Sequence, residues 1–195
     1  MTEQLDKRVQ RSKTAIKETF IKLLNRKKFD QITISEIVRE ANYNRGTFYA
    51  NFQTKEHLLE EIIQDLLREM VNEIRKPYQS FERVDMTELN VHTITLFSYF
   101  QENASLYKLL LSDHIQANFR FQIAKAIEKL FIEEYEYELD ENIDIDTKWL
   151  YTYRAHGIAG LIIRWIEEDF PTTPEYMTEQ TLKLMTTATK AFYVK

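Results

Sequence analysis

The chain of 195 residues contains no cysteine and only three glycines and three prolines. Without thiols it can form no disulfide, no cysteine-based zinc site and no thiol nucleophile, and this composition favours a cytoplasmic setting. The scarcity of helix breakers favours long helices. No apolar run approaches the roughly 18 residues that a membrane helix needs, and the N-terminus has no apolar signal core. We therefore expect a soluble cytoplasmic protein with no membrane partner.

Sequence motifs for catalysis are also missing. The chain has no phosphate-binding loop, no Gly-x-Ser-x-Gly element and no zinc motif. The four histidines, at positions 57, 92, 114 and 156, show no metal-ligand spacing. We expect a protein that is not an enzyme and that holds no metal and no cofactor.

Charge is unevenly distributed along the chain. Residues 1–55 contain twelve Lys and Arg and six Asp and Glu, a net charge of +6, whereas the remainder carries −11. A basic N-terminal part suits a polyanionic partner such as DNA, although a run of charge is often only a solvated face.

Residues 33–55 have the pattern of two short helices joined by a turn. Thr33 and Glu36 form a capping box, and Asn42 suits the left-handed position that ends a helix. Asn44 is placed to cap a second short helix, and Thr54 a third. A second helix rich in exposed polar side chains is typical of a helix–turn–helix that enters the DNA major groove.

These residues resemble the DNA-binding domain of the tetracycline-repressor (TetR/AcrR) family of bacterial regulators, over about residues 9–65. The matching segments are ITISEI (32–37), EA (40–41), GTFY (46–49), NF (51–52) and KEHLL (55–59). One departure is Asn42, where the family usually has glycine. The resemblance implies an all-α fold, with a three-helix DNA-binding domain at residues 1–54 and a helical ligand-binding and dimerisation bundle at residues 55–195.

The short recognition helix leaves few side chains for DNA. We expect Asn44, Arg45 and Thr47 to reach base edges. The alternative for Arg45 is phosphate contact alone, and Thr47 could meet either a thymine methyl group or a phosphate. The resemblance implies phosphate contacts by Tyr49 and Lys55, and adds Asn51 and Thr33 as candidates. The alternative for Tyr49 is a half-buried surface aromatic.

Helical periodicity predicts about nine helices and no strand. The longer ones are expected at about residues 7–27, 55–76, 87–102, 114–138, 147–168 and 174–193, with a short helix at 104–111. The acidic end of the 114–138 helix opposes the helix dipole and should fray.

Aromatic residues are frequent in the C-terminal part, where a pocket between helices would suit a small molecule. The alternative is that they fill the core. The candidate pocket residues are Phe97, Phe100, Tyr107, His114, Phe119, Tyr153 and His156.

The resemblance also implies that the last two helices pair with those of a second copy. Two of the three glycines lie there, and His156-Gly157-x-x-Gly160 followed by Trp165 looks like the subgroup that contains the dihydroxyacetone-kinase regulator. The candidate dimer-interface residues are Gly157, Gly160, Leu161, Arg164, Leu184 and Ala188.

The expected function is that of a homodimeric repressor that binds a double-stranded operator and is released by a small-molecule effector. The alternative is a helix–turn–helix regulator that is controlled by a protein partner or acts without a ligand. Activation in place of repression also remains open.

Overall fold

The computed structural model describes residues 2–85, 88–115, 117–139 and 144–187, with side chains from residue 7 onward. This part of the chain contains nine α-helices, three short 3₁₀ turns and no strand, which confirms the predicted all-α fold. None of these helices is long and apolar enough to cross a membrane. The helices are α1 (Thr2–Leu24), α2 (Ile34–Glu40), α3 (Arg45–Asn51), α4 (Lys55–Arg75), α5 (Leu96–Glu102), α6 (Ala104–Leu111), α7 (Phe119–Glu134), α8 (Thr147–Glu167) and α9 (Pro174–Thr186).

The chain packs as two compact units. The first comprises Met1–Leu66 and Ser105–Phe119, and the second comprises Leu67–Ala104 and Arg120–Lys195. The first unit thus contains the N-terminal helices, the first part of α4 and nearly all of α6. The predicted boundary between a DNA-binding domain at residues 1–54 and a ligand-binding and dimerisation domain at residues 55–195 stays a prediction.

In the first unit, α1, α2 and α3 pack against one another. Their shared core consists of side chains that are at most 1% exposed: Ile16, Phe20, Leu23, Leu24, Ile32, Ile37, Phe48 and Phe52. In α1 these residues recur at steps of three and four, and Ile37 and Phe48 mark the buried sides of α2 and α3. The opposite face of α3 is left for other contacts.

In the second unit, α5 packs against α8 and α9, and α8 packs against α9. The rings of Phe97 and Trp165 meet edge to face with centroids 5.4 Å apart. Helix α8 ends where Asp169 and Phe170 adopt φ values of 61° and 58°. The Phe170 ring covers Trp165 at 4.7 Å, and the Trp165 indole donates to the Thr172 carbonyl at 3.1 Å. This turn closes the end of α8 without a glycine.

Several predicted helix boundaries were wrong. The helix predicted at 87–102 begins only at Leu96, because Asn90 caps a separate 3₁₀ turn by accepting a 3.0 Å hydrogen bond from the His92 amide. The helix predicted at 114–138 begins at Phe119, after Asn118 at φ 48°, and ends at Glu134, before most of its acidic tail. Helix α1 begins five residues earlier than predicted, and the last residues of the helix predicted at 174–193 lie outside the described part of the chain.

Candidate nucleic-acid interface

Helices α2 and α3 are joined by a tight turn whose geometry is set by Asn42. The Thr33 hydroxyl caps α2 by accepting from the Glu36 amide at 3.2 Å. At the other end Asn42 has φ 58°, its amide donates to Arg39 O at 3.2 Å, and the Tyr43 amide donates to Val38 O at 2.8 Å. These two reverse bonds and the left-handed residue form a Schellman motif. Asparagine therefore occupies a left-handed position at which the family that this sequence resembles usually has glycine.

Helix α3 is fixed at its start by Asn44 and along its length by Phe48. The Asn44 side-chain oxygen accepts from the Thr47 amide at 2.8 Å and from the Thr47 hydroxyl at 3.2 Å. A side chain at Gly46 would bring a Cβ within 3.2 Å of that oxygen. Phe48 is completely buried, whereas Tyr49 is 56% exposed. The helix consequently presents Arg45 and Tyr49 to the outside, with Thr47 half-buried.

Arg45 is exposed and donates a hydrogen bond from its guanidinium group to the hydroxyl of Ser35 on α2. Ser35 was not predicted as a site residue, because a serine in the first turn of a helix carries no sequence signal beyond its helix position. The contact depends on the packing of α2 against α3. It means that a candidate base-reading side chain is held by the neighbouring helix.

Asn51 is engaged inside the unit. Its side-chain amide donates to Thr47 O at 2.8 Å and to the Ser12 hydroxyl of α1 at 3.3 Å. Ser12 is only 4% exposed. This placement favours a role in joining α3 to α1 over the predicted contact with DNA.

Lys55 also points inward. Its ammonium group donates to the carbonyl oxygens of Phe29 at 2.9 Å and Ile32 at 3.1 Å, and lies 4.4 Å from the centre of the Phe29 ring. These acceptors belong to the turn between α1 and α2. The placement supports a structural role, and the predicted phosphate contact would require this ammonium to exchange partners.

Several basic residues of the first unit are already paired with carboxylates. Lys27 bonds Glu36 at 2.5 Å and holds the pKa of that carboxyl below its usual range. Lys13 pairs with Glu61 at 2.6 Å, and Lys17 bonds Asp65 at 2.6 Å. The positive charge of residues 1–55 is therefore partly neutralised by acidic residues of α2 and α4. Arg45 is the basic residue that α3 itself contributes.

The predicted effector-pocket residues are divided between the two units. Phe97 and Phe100 are buried in the second unit, whereas Tyr107 and Phe119 are buried in the first with ring centroids 5.9 Å apart. These four rings fill cores. Tyr153 is 77% exposed, and His156 is also exposed.

His114 lies at a different place, in the first unit. There it lines a cavity of about 440 Å³ together with Phe29, Leu59 and Ile63. The other predicted pocket residues do not line this cavity, so the sequence did not locate it. The amide of Phe29 donates to His114 O at 3.4 Å, which joins the two sides of the cavity.

The predicted dimer-interface residues that the structure describes are mostly exposed. Gly157, Gly160, Arg164 and Leu184 are exposed, Leu161 is half-buried, and Ala188 lies outside the described residues. A Cβ built on either glycine would meet no atom within 4 Å. Close approach within the described chain therefore does not account for the two glycines of α8.

The two short helices, the left-handed turn and the outward recognition surface define a helix–turn–helix DNA-binding regulator. Residues 18–62 match the family described as "Bacterial regulatory proteins, tetR family", and residues 87–187 match a "Transcriptional regulator C-terminal region". The chain belongs to the TetR family of transcriptional regulators. This membership confirms the prediction of a regulator and not an enzyme.

Relatives support the same assignment. The uncharacterised regulator YxbF of Bacillus subtilis is 23% identical over 91% of this chain, which spans only 45% of that protein. The dhaKLM operon transcriptional activator DhaS of Lactococcus lactis is 25% identical, with 75% of this chain and 74% of DhaS covered. A TetR regulator from Streptococcus agalactiae is 25% identical with a TM-score of 0.64, covering 95% of this chain and 99% of that one. The likeness to DhaS confirms the subgroup resemblance seen in the sequence.

Proposed function

We propose that this protein is a homodimeric, sequence-specific repressor that binds an operator through α3 and is released by a small-molecule effector. The observation that carries this proposal is the recognition surface of α3. Phe48 is buried, Arg45 and Tyr49 face outward, and Asn42 fixes the turn that joins the helix to α2. We place this activity in the cytoplasm, where an operator is accessible.

Base recognition is assigned chiefly to Arg45. A guanidinium group can donate two hydrogen bonds to guanine in the major groove, and Arg45 already lies on the exposed side of α3. Asn44 and Thr47 are further candidates, but their side chains already bond each other at the start of α3, where the Asn44 oxygen accepts from the Thr47 hydroxyl and amide. Of these three, Arg45 is left with the most donors for a base.

Phosphate recognition is assigned to Tyr49 first. Its exposed hydroxyl can donate to a backbone phosphate, whereas Asn51, Thr33 and Lys55 have protein partners in the free protein. These three residues stay candidates for DNA contact through exchange of partners. The expected footprint is therefore small for each subunit, and affinity depends on two subunits acting together.

Dimerisation is assigned to the open face of α8 and the neighbouring part of α9. The exposed Gly157 and Gly160 leave room for a helix of a second copy to approach closely, with Leu184 adding apolar area. Two-fold symmetry would then place two copies of α3 on half-sites about 34 Å, or one helical turn of DNA, apart or somewhat more.

Release is assigned to a small molecule that binds with different affinity to the DNA-bound and free states. A specific alternative is activation, because the relative DhaS is named a transcriptional activator. A reporter fused to the operator separates the two signs of regulation: deletion of the regulator raises expression if it represses and lowers expression if it activates. Control by a protein partner predicts that no small molecule changes DNA affinity.

The first experiment is a mobility-shift assay with DNA from immediately upstream of the protein's own coding region, at several salt concentrations. We expect tight binding by a dimer, which weakens steeply with salt and is at least about a thousandfold tighter than binding to random DNA. Equal affinity for random DNA would contradict sequence-specific recognition. If the upstream fragment alone fails, selection of bound fragments from the whole genome distinguishes a distant operator from a protein that binds no operator.

A further inference from the structure

The cavity in the first unit, of about 440 Å³, lies where three elements meet. Its lining comes from the turn before α2, from the N-terminal part of α4 and from the segment after α6. On α4 the lining positions are 56, 59, 60 and 63, which repeat at steps of three and four and therefore lie on one face of the helix. Binding sites for small molecules commonly measure about 300–1,000 Å³, so this volume suits a small organic ligand.

Part of the lining is apolar. Leu59 is 7% exposed, Ile63 is completely buried and Phe29 is half-buried. The ring of Phe29 is already in contact with one ammonium group, because Lys55 Nζ lies 4.4 Å from its centre. These side chains suit the hydrocarbon part of a ligand, and an aromatic ring is also compatible with a nearby positive charge.

The rest of the lining is mainly acidic. Its exposed carboxylates are Asp30, Glu56, Glu60 and Asp113. Lys28 lines the same cavity, so even when Lys55 is counted the carboxylates outnumber the ammonium groups by four to two. Glu56 and Glu60 are also one turn apart on α4, where like charges repel each other. The cavity therefore attracts positive charge and disfavours an anion.

The four carboxylates differ in their partners from other acidic residues of the first unit. Within the part of the chain that the structure describes, none of the four forms an ion pair, although Glu60 accepts a 2.7 Å hydrogen bond from Gln64. Glu61, in contrast, pairs with Lys13 at 2.6 Å. The negative charge at the cavity is therefore available to a ligand.

The spread of these carboxylates indicates more than one bound charge. They belong to three separate elements of the unit. A single metal ion needs several ligand side chains around one point, and no group of three or more Asp, Glu or His side chains that could hold one occurs in the described ranges. An organic cation with two or more separated charges matches this distribution better.

We infer that this cavity binds an aliphatic diamine or polyamine. The ammonium groups of the ligand donate hydrogen bonds to the carboxylates, and its methylene chain packs against Phe29, Leu59 and Ile63. His114 is the predicted pocket residue that belongs to this site. Because the cavity is lined by both α4 and the turn before α2, a bound diamine holds these two elements together. Its use as the effector site rests on the proposed function, whereas binding itself does not.

The test measures binding of 1,4-diaminobutane and spermidine to the full-length protein by calorimetry and by NMR spectra of the backbone amides. The matched probes are n-butylamine, which lacks the second charge, and Mg²⁺, which carries two charges without an apolar chain. We expect 1,4-diaminobutane to bind at least about fivefold more tightly than either probe, and its binding to weaken as salt is added. The amide signals of Phe29 and Ala117, which line the cavity, should shift on binding.

Substitutions at the cavity should change the affinity in opposite directions. Glu56→Gln and Asp113→Asn should each weaken binding of 1,4-diaminobutane about two- to fivefold, whereas Lys28→Gln should strengthen it by a similar factor. Glu18→Gln, at an exposed position of α1 outside the cavity, is the control and should bind like the wild type. All four variants should keep the Tm of the unliganded protein within about 2 °C, because exposed substitutions of this kind change stability little.

Three results would overturn the inference. The first is that neither 1,4-diaminobutane nor spermidine binds the wild-type protein at millimolar concentration. The second is that n-butylamine or Mg²⁺ binds equally well. The third is that Glu18→Gln weakens binding as much as Glu56→Gln, or that Lys28→Gln fails to strengthen it, since the ligand would then respond only to the overall charge of the protein.

DNA binding is measured separately on the same samples, so failure of the proposed function is recognised independently. Diamines also bind DNA, and the comparison therefore uses the protein that carries both Glu56→Gln and Asp113→Asn. A change in operator affinity that 1,4-diaminobutane causes in the wild type and not in this protein supports use of the cavity as the effector site. An equal change in both proteins would assign the effect to the DNA.

Discussion

The ammonium group of Lys55 lies over the ring of Phe29, 4.4 Å from its centre, and donates a 2.9 Å hydrogen bond to the Phe29 carbonyl oxygen. Its second strong bond, of 3.1 Å, goes to the Ile32 carbonyl. Lys55 is the first residue of α4, whereas Phe29 and Ile32 belong to the turn that precedes α2. The side chain therefore fastens α4 to the helix–turn–helix within the first unit.

From this arrangement we predict that Lys55→Ala lowers the free energy of unfolding by about 1–3 kcal/mol, because it leaves two carbonyl groups without their charged donor. Chemical denaturation followed by circular dichroism measures this loss. Lys22→Ala, at an exposed position of α1, is the matched control and should change little. Unchanged stability with a weaker salt dependence of DNA binding would instead support the phosphate contact that the resemblance implies.

The contact between Arg45 and Ser35 leads to a second prediction. Arg45→Ala should weaken operator binding by about 1–3 kcal/mol and relax specificity at one base pair. Ser35→Ala keeps the positive charge of Arg45 but removes the hydroxyl that holds its guanidinium group. The loss of operator-binding free energy should therefore stay below about 1.5 kcal/mol. Competition binding with a set of single-base operator variants measures both effects. A uniform loss on all sequences for Arg45→Ala would show that Arg45 contacts phosphate only.

The helix–turn–helix could be predicted closely because its signals are local. Thr33 and Asn44 accept hydrogen bonds from amides three residues ahead, as their positions in the sequence suggested. Asn42 adopts the left-handed conformation that its side chain tolerates. Capping and turn formation involve neighbours along the chain, so one sequence contains most of the information they need.

The partners of the candidate site residues could not be predicted in the same way. Asn51 bonds Ser12, 39 positions away, and Lys55 bonds Phe29, 26 positions away. Helical periodicity shows that Phe97 and Phe119 are apolar-face residues, but it cannot distinguish a filled core from the wall of a pocket. Tyr135 and Tyr137 follow α7 outside any periodic pattern, so the burial of their hydroxyl groups left no recognisable signal in the sequence.

The left-handed Asn42 gives a third prediction, which compares two substitutions at one site. Asn42→Gly should leave stability unchanged or raise it slightly, because glycine adopts φ 58° without strain. Asn42→Ala should cost about 1–2 kcal/mol, since alanine has a steric penalty in this conformation. Urea unfolding of both variants provides the measurement. Equal stability of the two would show that the turn relaxes to another conformation.

Glu128 should make the stability of the second unit depend on pH. It is 8% exposed and accepts hydrogen bonds from Lys125 at 2.5 Å and from the Thr152 hydroxyl at 2.7 Å. The Lys125 and Thr152 hydrogen bonds hold its pKa below the usual range. A carboxyl whose pKa is lower in the folded state stabilises the fold above its unfolded pKa of about 4.3, and this contribution disappears as pH falls through the folded pKa.

We therefore predict that Glu128→Gln lowers stability at neutral pH and reduces the fall in stability on acidification below about pH 4.3. Thermal unfolding between neutral and acidic pH compares the variant with the wild type. Glu133→Gln, on the exposed side of the same helix, is the control and should follow the wild-type curve. Parallel curves for Glu128→Gln and the wild type would exclude Glu128 as a source of the acid sensitivity.

The open face of α8 gives the last prediction, which separates folding from dimerisation. A Cβ at Gly160 meets nothing within 4 Å in the described chain, so Gly160→Ala should fold without strain and gain up to about 1 kcal/mol from helix propensity. Gly160→Glu should also fold, but its charge would lie between two copies of α8 and weaken the proposed dimer. Analytical ultracentrifugation at several protein concentrations measures the dimer, and circular dichroism measures helix content.

The control for Gly160→Glu is Gln101→Glu, which adds a charge at an exposed position of α5. That variant should dimerise like the wild type, since it lies outside the proposed interface. In the proposed complex the dimer reads two half-sites together, so loss of the dimer should also lower operator affinity while leaving binding to a single half-site unchanged. A Gly160→Glu protein that remains fully dimeric would place the interface on another face, and the two glycines of α8 would then need a different explanation.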